Sequence, residues 1–300
     1  MDGFELIFYY DLDDGADVPA AQGSGAEVGG LFGASTARFL GAGSFGETWY
    51  LPADSNCNSE RAVKIIMNPL YPAKRIQAEI SGLQRVSHSN VVKFLDHVTV
   101  QLAVGPREAL VFEYVDGGDL ASMLASTTIP VAAVRQFAIS MLGAVEAMHA
   151  AGTVHRDIKP QNIALRDGDV GNPVLLDLGL ARLLDAETMT LYPAPMGTCP
   201  FMAPEQVRGE RASKQADVWA LGVVLYIMLA GHHPFFGPRA VAKTSEDALT
   251  AYAAGPPPLS AAVPADLAES VMTMLMYEPH ERGSAKRHHR KLTGPLGGRS

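Results

Sequence analysis

His155-Arg156-Asp157-Ile158-Lys159-Pro160-Gln161-Asn162 is followed, fifteen residues beyond its last member, by Asp177-Leu178-Gly179. Asp157 and Asn162 stand five apart on one short loop. The Gly/Asp-rich turn at 167–173 and the apolar run Val174-Leu175-Leu176 separate them from Asp177, a pattern that reads as a hairpin with a carboxylate on each arm. Two carboxylates, an amide and a lysine then lie where phosphate and metal chemistry can use them. A lone loop Asp is most often a turn former and a lone loop Lys is most often solvated. Five specified identities at fixed spacing, joined to a strand and a second acidic turn, are a poor match to chance composition.

Upstream, Phe39 to Tyr114 is strand-rich, with Arg61 to Met67 and Ala109 to Tyr114 as the clearest strands. One helix interrupts them at about 73–86, placing Ile76, Ile80 and Leu83 on one face. Gly41-Ala42-Gly43-Ser44-Phe45-Gly46 falls where the first two strands turn, and its glycines allow backbone amides to approach a nucleotide's phosphates. A strand follows it instead of a long helix, which argues against a dinucleotide-binding unit. Gly117-Gly118 marks the crossing into a helical half. Helices are expected at 131–151, 214–229, 245–254 and 265–276, divided by the breakers at 231–238 and 255–258. The stripe Val134, Phe137, Ala138, Met141, Leu142, Val145 and Met148 is core packing.

Three hundred residues with 47% hydrophobic content support one large domain or two tightly packed lobes and exclude wholesale disorder. The net charge of −8 is concentrated: residues 1–30 hold seven acids and no Lys or Arg, leaving the body near neutral and without a nucleic-acid footprint. Residues 1–37 are Gly- and Ala-rich with no sustained period and read as a mobile leader, with an apolar patch from Phe4 to Tyr10. The basic cluster at 286–291 reads as a solvated chain end, and 291–300 as a flexible tail. Cys57 and Cys199 support neither a disulfide framework nor a cysteine metal site and point to a reducing compartment. The amino terminus lacks the basic start of a signal peptide, Asp2 excludes myristoylation, and the apolar run Val218 to Ala230 is shorter than a bilayer span of roughly twenty residues. A cytoplasmic location, or a nuclear one, is expected, without membrane attachment.

The run 155–162 resembles the catalytic loop of the eukaryotic protein kinase family, Ser/Thr type, and Asp177-Leu178-Gly179 is similar to its metal-binding turn, where the middle residue is usually Phe. The resemblance covers about residues 38–290. It implies an α+β two-lobed protein kinase fold: an antiparallel β-sheet small lobe with one main helix at 38–115, and a mainly α-helical large lobe at 116–290. The cofactors implied are ATP and Mg2+, and the partner is a protein substrate bearing Ser or Thr, met by a monomeric catalytic domain. Gly41 to Gly46 is similar to the glycine-rich loop, with Thr48 where Val is usual. Ala62 and Thr48 would cover the adenine, Phe112 would be the gatekeeper, and the backbone of Glu113 and Val115 would meet the base. Asp119 would line the same region or meet a basic substrate residue. Lys64 matches the strand lysine that holds the α- and β-phosphates, with Glu79 as its ion-pair partner. Asn162 and Asp177 would bind Mg2+, Asp157 would accept the substrate hydroxyl's proton, and Lys159 would neutralise charge on the transferring group.

The stretch from Asp177 to Ala203-Pro204-Glu205 is similar to an activation segment. Thr198 matches the threonine that bonds the catalytic Asp and Lys in Ser/Thr kinases, and Ala194 stands at a commonly phosphorylated position, leaving Thr188, Thr190 and Tyr192 as candidates. The resemblance also implies a buried Glu205–Arg282 ion pair, Asp217 holding the catalytic-loop backbone, and His155 as a packed residue. A catalytically silent scaffold of the same fold is the rival reading. His232-His233 and His288-His289 lack partners at metal-ligand spacing.

Overall fold

Val63 and Ile65 on β3 (Arg61–Ile66) are fully buried while Ala62 and Lys64, on the alternate face, are half-buried. That period of two is what a strand with one core face requires. The computed structural model to which β3 belongs describes residues 23–43, 46–54, 57–68, 71–177, 182–183, 200–237 and 244–294, and they divide into two units.

In the first unit, β3 is the middle strand of an antiparallel sheet ordered β1-β2-β3-β5-β4, formed with β1 (Arg38–Gly43), β2 (Gly46–Leu51), β4 (Phe94–Leu102) and β5 (Gly105–Glu113). Trp49, Leu51, Val63, Ile65, Val100, Leu102, Ala109 and Val111 form its apolar face, and each large side chain so buried contributes about 1.5–3 kcal/mol. The helix α2 (Ala73–Arg85) buries Ile76, Ile80 and Leu83, the three positions its spacing predicts.

Part of the expected leader is structured. Residues Gly25–Leu31 form α1, capped by Ser24, whose hydroxyl accepts from Glu27 N–H at 3.2 Å. Val28 (1% exposed), Ala34 and Ala37 join the sheet's core, and the Glu27 carboxylate accepts from Ala103 N–H at 3.3 Å. The glycines that suggested mobility serve packing: a Cβ on Gly29 would lie 2.7 Å from the Thr36 backbone, so only glycine admits that approach. Residues 1–22, with the Phe4 to Tyr10 patch, lie outside the described residues.

The second unit is mainly helical: α3 (Leu120–Ser126), α4 (Val131–Ala150), α5 (Pro204–Val207), α6 (Lys214–Ala230), α7 (Ser245–Ala254), α8 (Ala265–Met274) and α9 (Ala285–Thr293). Short strands β6 (Thr153–Val154) and β9 (Arg182–Leu183) pair, as do β7 (Ile163–Leu165) and β8 (Pro173–Leu175). The sheet with one main helix and the helical remainder are the two parts an α+β kinase fold requires. Every residue of α6 from Ala216 to Met228 is buried, as befits a helix apolar on all sides, and Gly231 at φ 73° ends it. The helix α4 is long and apolar enough to cross a membrane by length and composition. Half of its residues, including the predicted stripe, are buried against the rest of this unit.

The basic cluster, expected as a solvated chain end, is packed instead. Residues 286–291 lie on α9, whose Ala285, His288 and Leu292 are buried on one face. Glu146 on α4 accepts from His289 Nδ1 at 2.9 Å, and Lys291 pairs with Glu269 on α8 at 2.9 Å. Helix packing therefore extends through Thr293, beyond the expected start of a flexible tail; residues 295–300 lie outside the described residues.

Candidate active site

Asp217 near the start of α6 is 1% exposed and accepts three hydrogen bonds: from His155 N–H at 2.9 Å, Arg156 N–H at 2.7 Å and His149 Nε2 at 2.8 Å. Burial, the largest influence, pushes its pKa up. The His149 hydrogen bond and charge, the His155 ring and the Arg156 amide outweigh it and hold the carboxyl below the usual value. Those bonds fix Arg156 at φ 74°, a left-handed conformation that costs a non-glycine residue about 1–3 kcal/mol and survives where surroundings over-determine it. The expected Asp217 contact is present; His149, its third donor, carries no sequence signal because it lies 68 residues away.

His155 is fully buried, as expected of a packed residue. Its Nδ1 accepts from Asp157 N–H at 3.3 Å, so Nε2 carries the proton and donates to Leu176 O at 2.8 Å. Across the hairpin, Leu176 N–H donates to Asn162 O at 2.8 Å. Asp177 follows at φ 56°, a second left-handed residue.

The three chemistry-bearing side chains of the loop converge. Asn162 Nδ2 donates to Asp157 O at 2.8 Å and to Asp157 Oδ2 at 2.9 Å, while Lys159 Nζ lies 3.1 Å from the same Oδ2. The Asp157 and Lys159 side chains are 32% and 38% exposed, so the ion pair adds at most about 1 kcal/mol to stability; its consequence is orientation. Both Asn162 bonds use the amide nitrogen, which leaves Oδ1 directed elsewhere. An amide oxygen and the Asp177 carboxylate are hard donors of the kind Mg2+ takes one or two at a time, completing its shell with water and phosphate oxygens. Among the described residues no group of three His, Cys, Asp or Glu could hold a metal. Two structural contacts frame this site: Arg282, fully buried, makes a bidentate pair with Glu205 at 2.8 and 2.9 Å, and Gln206 Nε2 donates to Arg156 O at 3.4 Å.

Strand register aligns the nucleotide candidates of the sheet unit. Gly41 stands opposite Thr48, Thr48 opposite Lys64, and Ala62 opposite Phe112. Because strand neighbours share a face, Thr48, Ala62, Lys64 and Phe112 all lie on the side away from the Trp49–Val63–Ile65 core. Gly43 pairs with Gly46 at the mouth of the hairpin. A Cβ on Gly46 would meet Ile65 O at 1.9 Å, so this glycine is required by strand packing whatever else it does. Ala42 is on β1; Ser44 and Phe45 lie outside the described residues. Glu113 N–H donates to Lys93 O at 3.0 Å, so that donor is already used, and Val115 is buried. Asp119 caps α3, its Oδ1 accepting from Ser122 N–H at 2.7 Å, a role its sequence position alone does not show. Glu79 falls within α2, but its side chain lies outside the described residues, as do Thr198 and the phosphorylation candidates Thr188, Thr190 and Tyr192.

Compared with known proteins, residues 34–291 match the model of the protein kinase domain. The chain is 34% identical over 256 residues to serine/threonine-protein kinase Pkn1 of Myxococcus xanthus, covering 82% of this chain and 35% of that protein. It is 37% identical over 210 residues to CBL-interacting protein kinase 4 of Oryza sativa subsp. japonica, covering 66% and 44%. With serine/threonine-protein kinase PknA of Mycobacterium tuberculosis it shares 32% over 254 residues, covering 82% and 57%. The chain thus spans between about a third and somewhat over half of these relatives. One family accounts for the sheet, the helices and the strapped loop alike: the chain belongs to the protein kinase domain family.

Proposed function

We propose that this domain is a protein serine/threonine kinase that transfers the γ-phosphoryl group of Mg2+-bound ATP to a Ser or Thr hydroxyl of a protein. The carrying observation is the loop in which Asn162 and Lys159 both engage Asp157 Oδ2 while Asp217 holds the backbone beneath it. With Oδ2 so occupied, Oδ1 is the oxygen that would receive the hydroxyl's proton as the new O–P bond forms and the bond to the β-phosphate breaks, releasing ADP. Lys159 would offset charge on the transferring group, an effect worth about 3 kcal/mol of barrier. Mg2+, when bound at Asn162 and Asp177, would neutralise phosphate charge. Gly41 to Gly46 and Lys64, with Glu79 as its partner, would handle the phosphates. Thr48, Ala62, Phe112 and the backbone of Glu113 and Val115 would meet the base, and Thr198 would support Ser/Thr selectivity.

The test is transfer of labelled phosphate from Mg·ATP to a generic protein substrate, followed by phosphoamino acid analysis. Phosphoserine and phosphothreonine should form, and Asp157→Ala and Lys64→Met should abolish them. A wild type that binds nucleotide yet transfers nothing sinks the enzyme reading and favours an interaction scaffold.

A further inference from the structure

Beyond α6 the chain folds into a tight turn around His233, which is 6% exposed. Its Nδ1 accepts from the N–H groups of Phe235 and Phe236, both at 3.2 Å, and Gly237 N–H closes the turn onto His233 O at 3.1 Å. Two donors on Nδ1 settle the tautomer: the ring proton sits on Nε2, which donates to Pro200 O at 3.0 Å. Pro200 lies 33 residues earlier in the chain. A proline offers one backbone polar atom, its carbonyl, so this bond sets the direction of the Pro200 peptide.

The segment that begins at Pro200 is tied at its other end to the catalytic loop. Ala203 N–H donates to Gln206 Oε1 at 3.0 Å, and Gln206 Nε2 donates to Arg156 O, the residue before Asp157. Phe201 and Met202 therefore span two clamps, one on His233 and one on the residue preceding the proposed base. Rings brace the His233 side. The imidazole stacks on Phe236 with centroids 4.6 Å apart, and Phe235 stacks on Trp219 at 5.0 Å. Arg282 lies over Trp219 at 4.8 Å. The clamp is thus continuous with the buried Glu205–Arg282 pair.

We propose that His233 is a positioning residue for the protein substrate: by holding the Pro200 carbonyl it keeps the 200–202 backbone in the shape against which the polypeptide flanking the accepting hydroxyl rests. This rests on the kinase reading above and on the tie by which Gln206 holds the end of the segment to Arg156, the neighbour of the proposed base. The ring works as a neutral group. Burial pulls its pKa down, the Pro200 bond opposes this and His232 adds to it, leaving a value of about 4.

Two variants separate the turn from the tie. His233→Asn keeps an acceptor for Phe235 and Phe236 but is too short to reach Pro200; His233→Gln keeps a donor within reach of Pro200 and gives up the turn acceptor. The expected result is a five- to tenfold rise in peptide KM for H233N with the KM for ATP unchanged, faster amide exchange at Phe201, Met202 and Ala203, and a near wild-type peptide KM for H233Q. An unchanged peptide KM in H233N, a parallel rise in both KM values, or equal defects in the two variants overturns the proposal while leaving the kinase reading intact. A wild type without phosphotransfer defeats both.

Discussion

Two backbone segments of the helical unit are strapped by one buried side chain each, and the straps differ in kind. The 155–157 backbone hangs on the ionised Asp217, which accepts three hydrogen bonds and stabilises a left-handed Arg156. The 200–202 backbone hangs on the neutral His233 through one bond to Pro200. A buried carboxylate with three donors is a stiff anchor, since releasing it strands every donor at once. An uncharged ring with one outward bond leaves its segment adjustable at modest cost. The loop that carries the proposed base has the rigid strap, and the segment proposed to meet varied polypeptides has the gentler one.

The largest effect should come from removing the rigid strap. Asp217→Ala leaves His149, His155 N–H and Arg156 N–H without their acceptor and should cost about 3–5 kcal/mol, read as a lower urea midpoint, with phosphotransfer lost alongside. If the midpoint barely moves, the contrast drawn between the straps is wrong. Lys159→Ala should raise the barrier by about 3 kcal/mol while changing stability by less than about 1 kcal/mol, because the pair is exposed. Measuring kcat and unfolding on the same preparation distinguishes orientation from stability.

Acid should release the straps in different windows. The folded pKa of His233, about 4, lies below its ordinary 6.5, so the unfolded chain takes the proton first. Its contribution is complete above pH 6.5, declines as pH falls, and is gone below about 4, a loss of about 3 kcal/mol. Asp217 is depressed from 3.8, so its contribution is complete above that value and is lost only as pH falls through the lower folded value. Stability curves from pH 7 to 4 should therefore be shallower in His233→Gln than in the wild type, the remaining slope coming from His88 and His288, which burial also holds below the usual value; a variant curve as steep as the wild type's contradicts the neutral strap. The smallest effect tests the sheet unit: Val28→Ala should cost about 2 kcal/mol, and no loss of stability would return α1 to the status of a leader.

Legibility followed the range of the interaction. The stripes on α2 and α4 and the Gly231 stop after α6 were readable because period and capping act within a few residues. The Asp157, Lys159 and Asn162 cluster was readable for the same reason, all three lying on one loop. The helix α1 was missed because its glycines permit close backbone approach and so carry no apolar period, and the packed face of α9 was hidden because a histidine, His288, stands at its centre.

The sequence by itself pointed to the family, to a sheet followed by helices, and to which side chains share the 155–162 loop or one helix face, because spacing along the chain specifies those local neighbours. Only the tertiary structure decided that His149 completes the Asp217 strap, that Glu146 and Glu269 neutralise the basic helix, and that His233 reaches Pro200. Those contacts join residues tens of positions apart, and which distant donor meets which acceptor is set by how the helices pack.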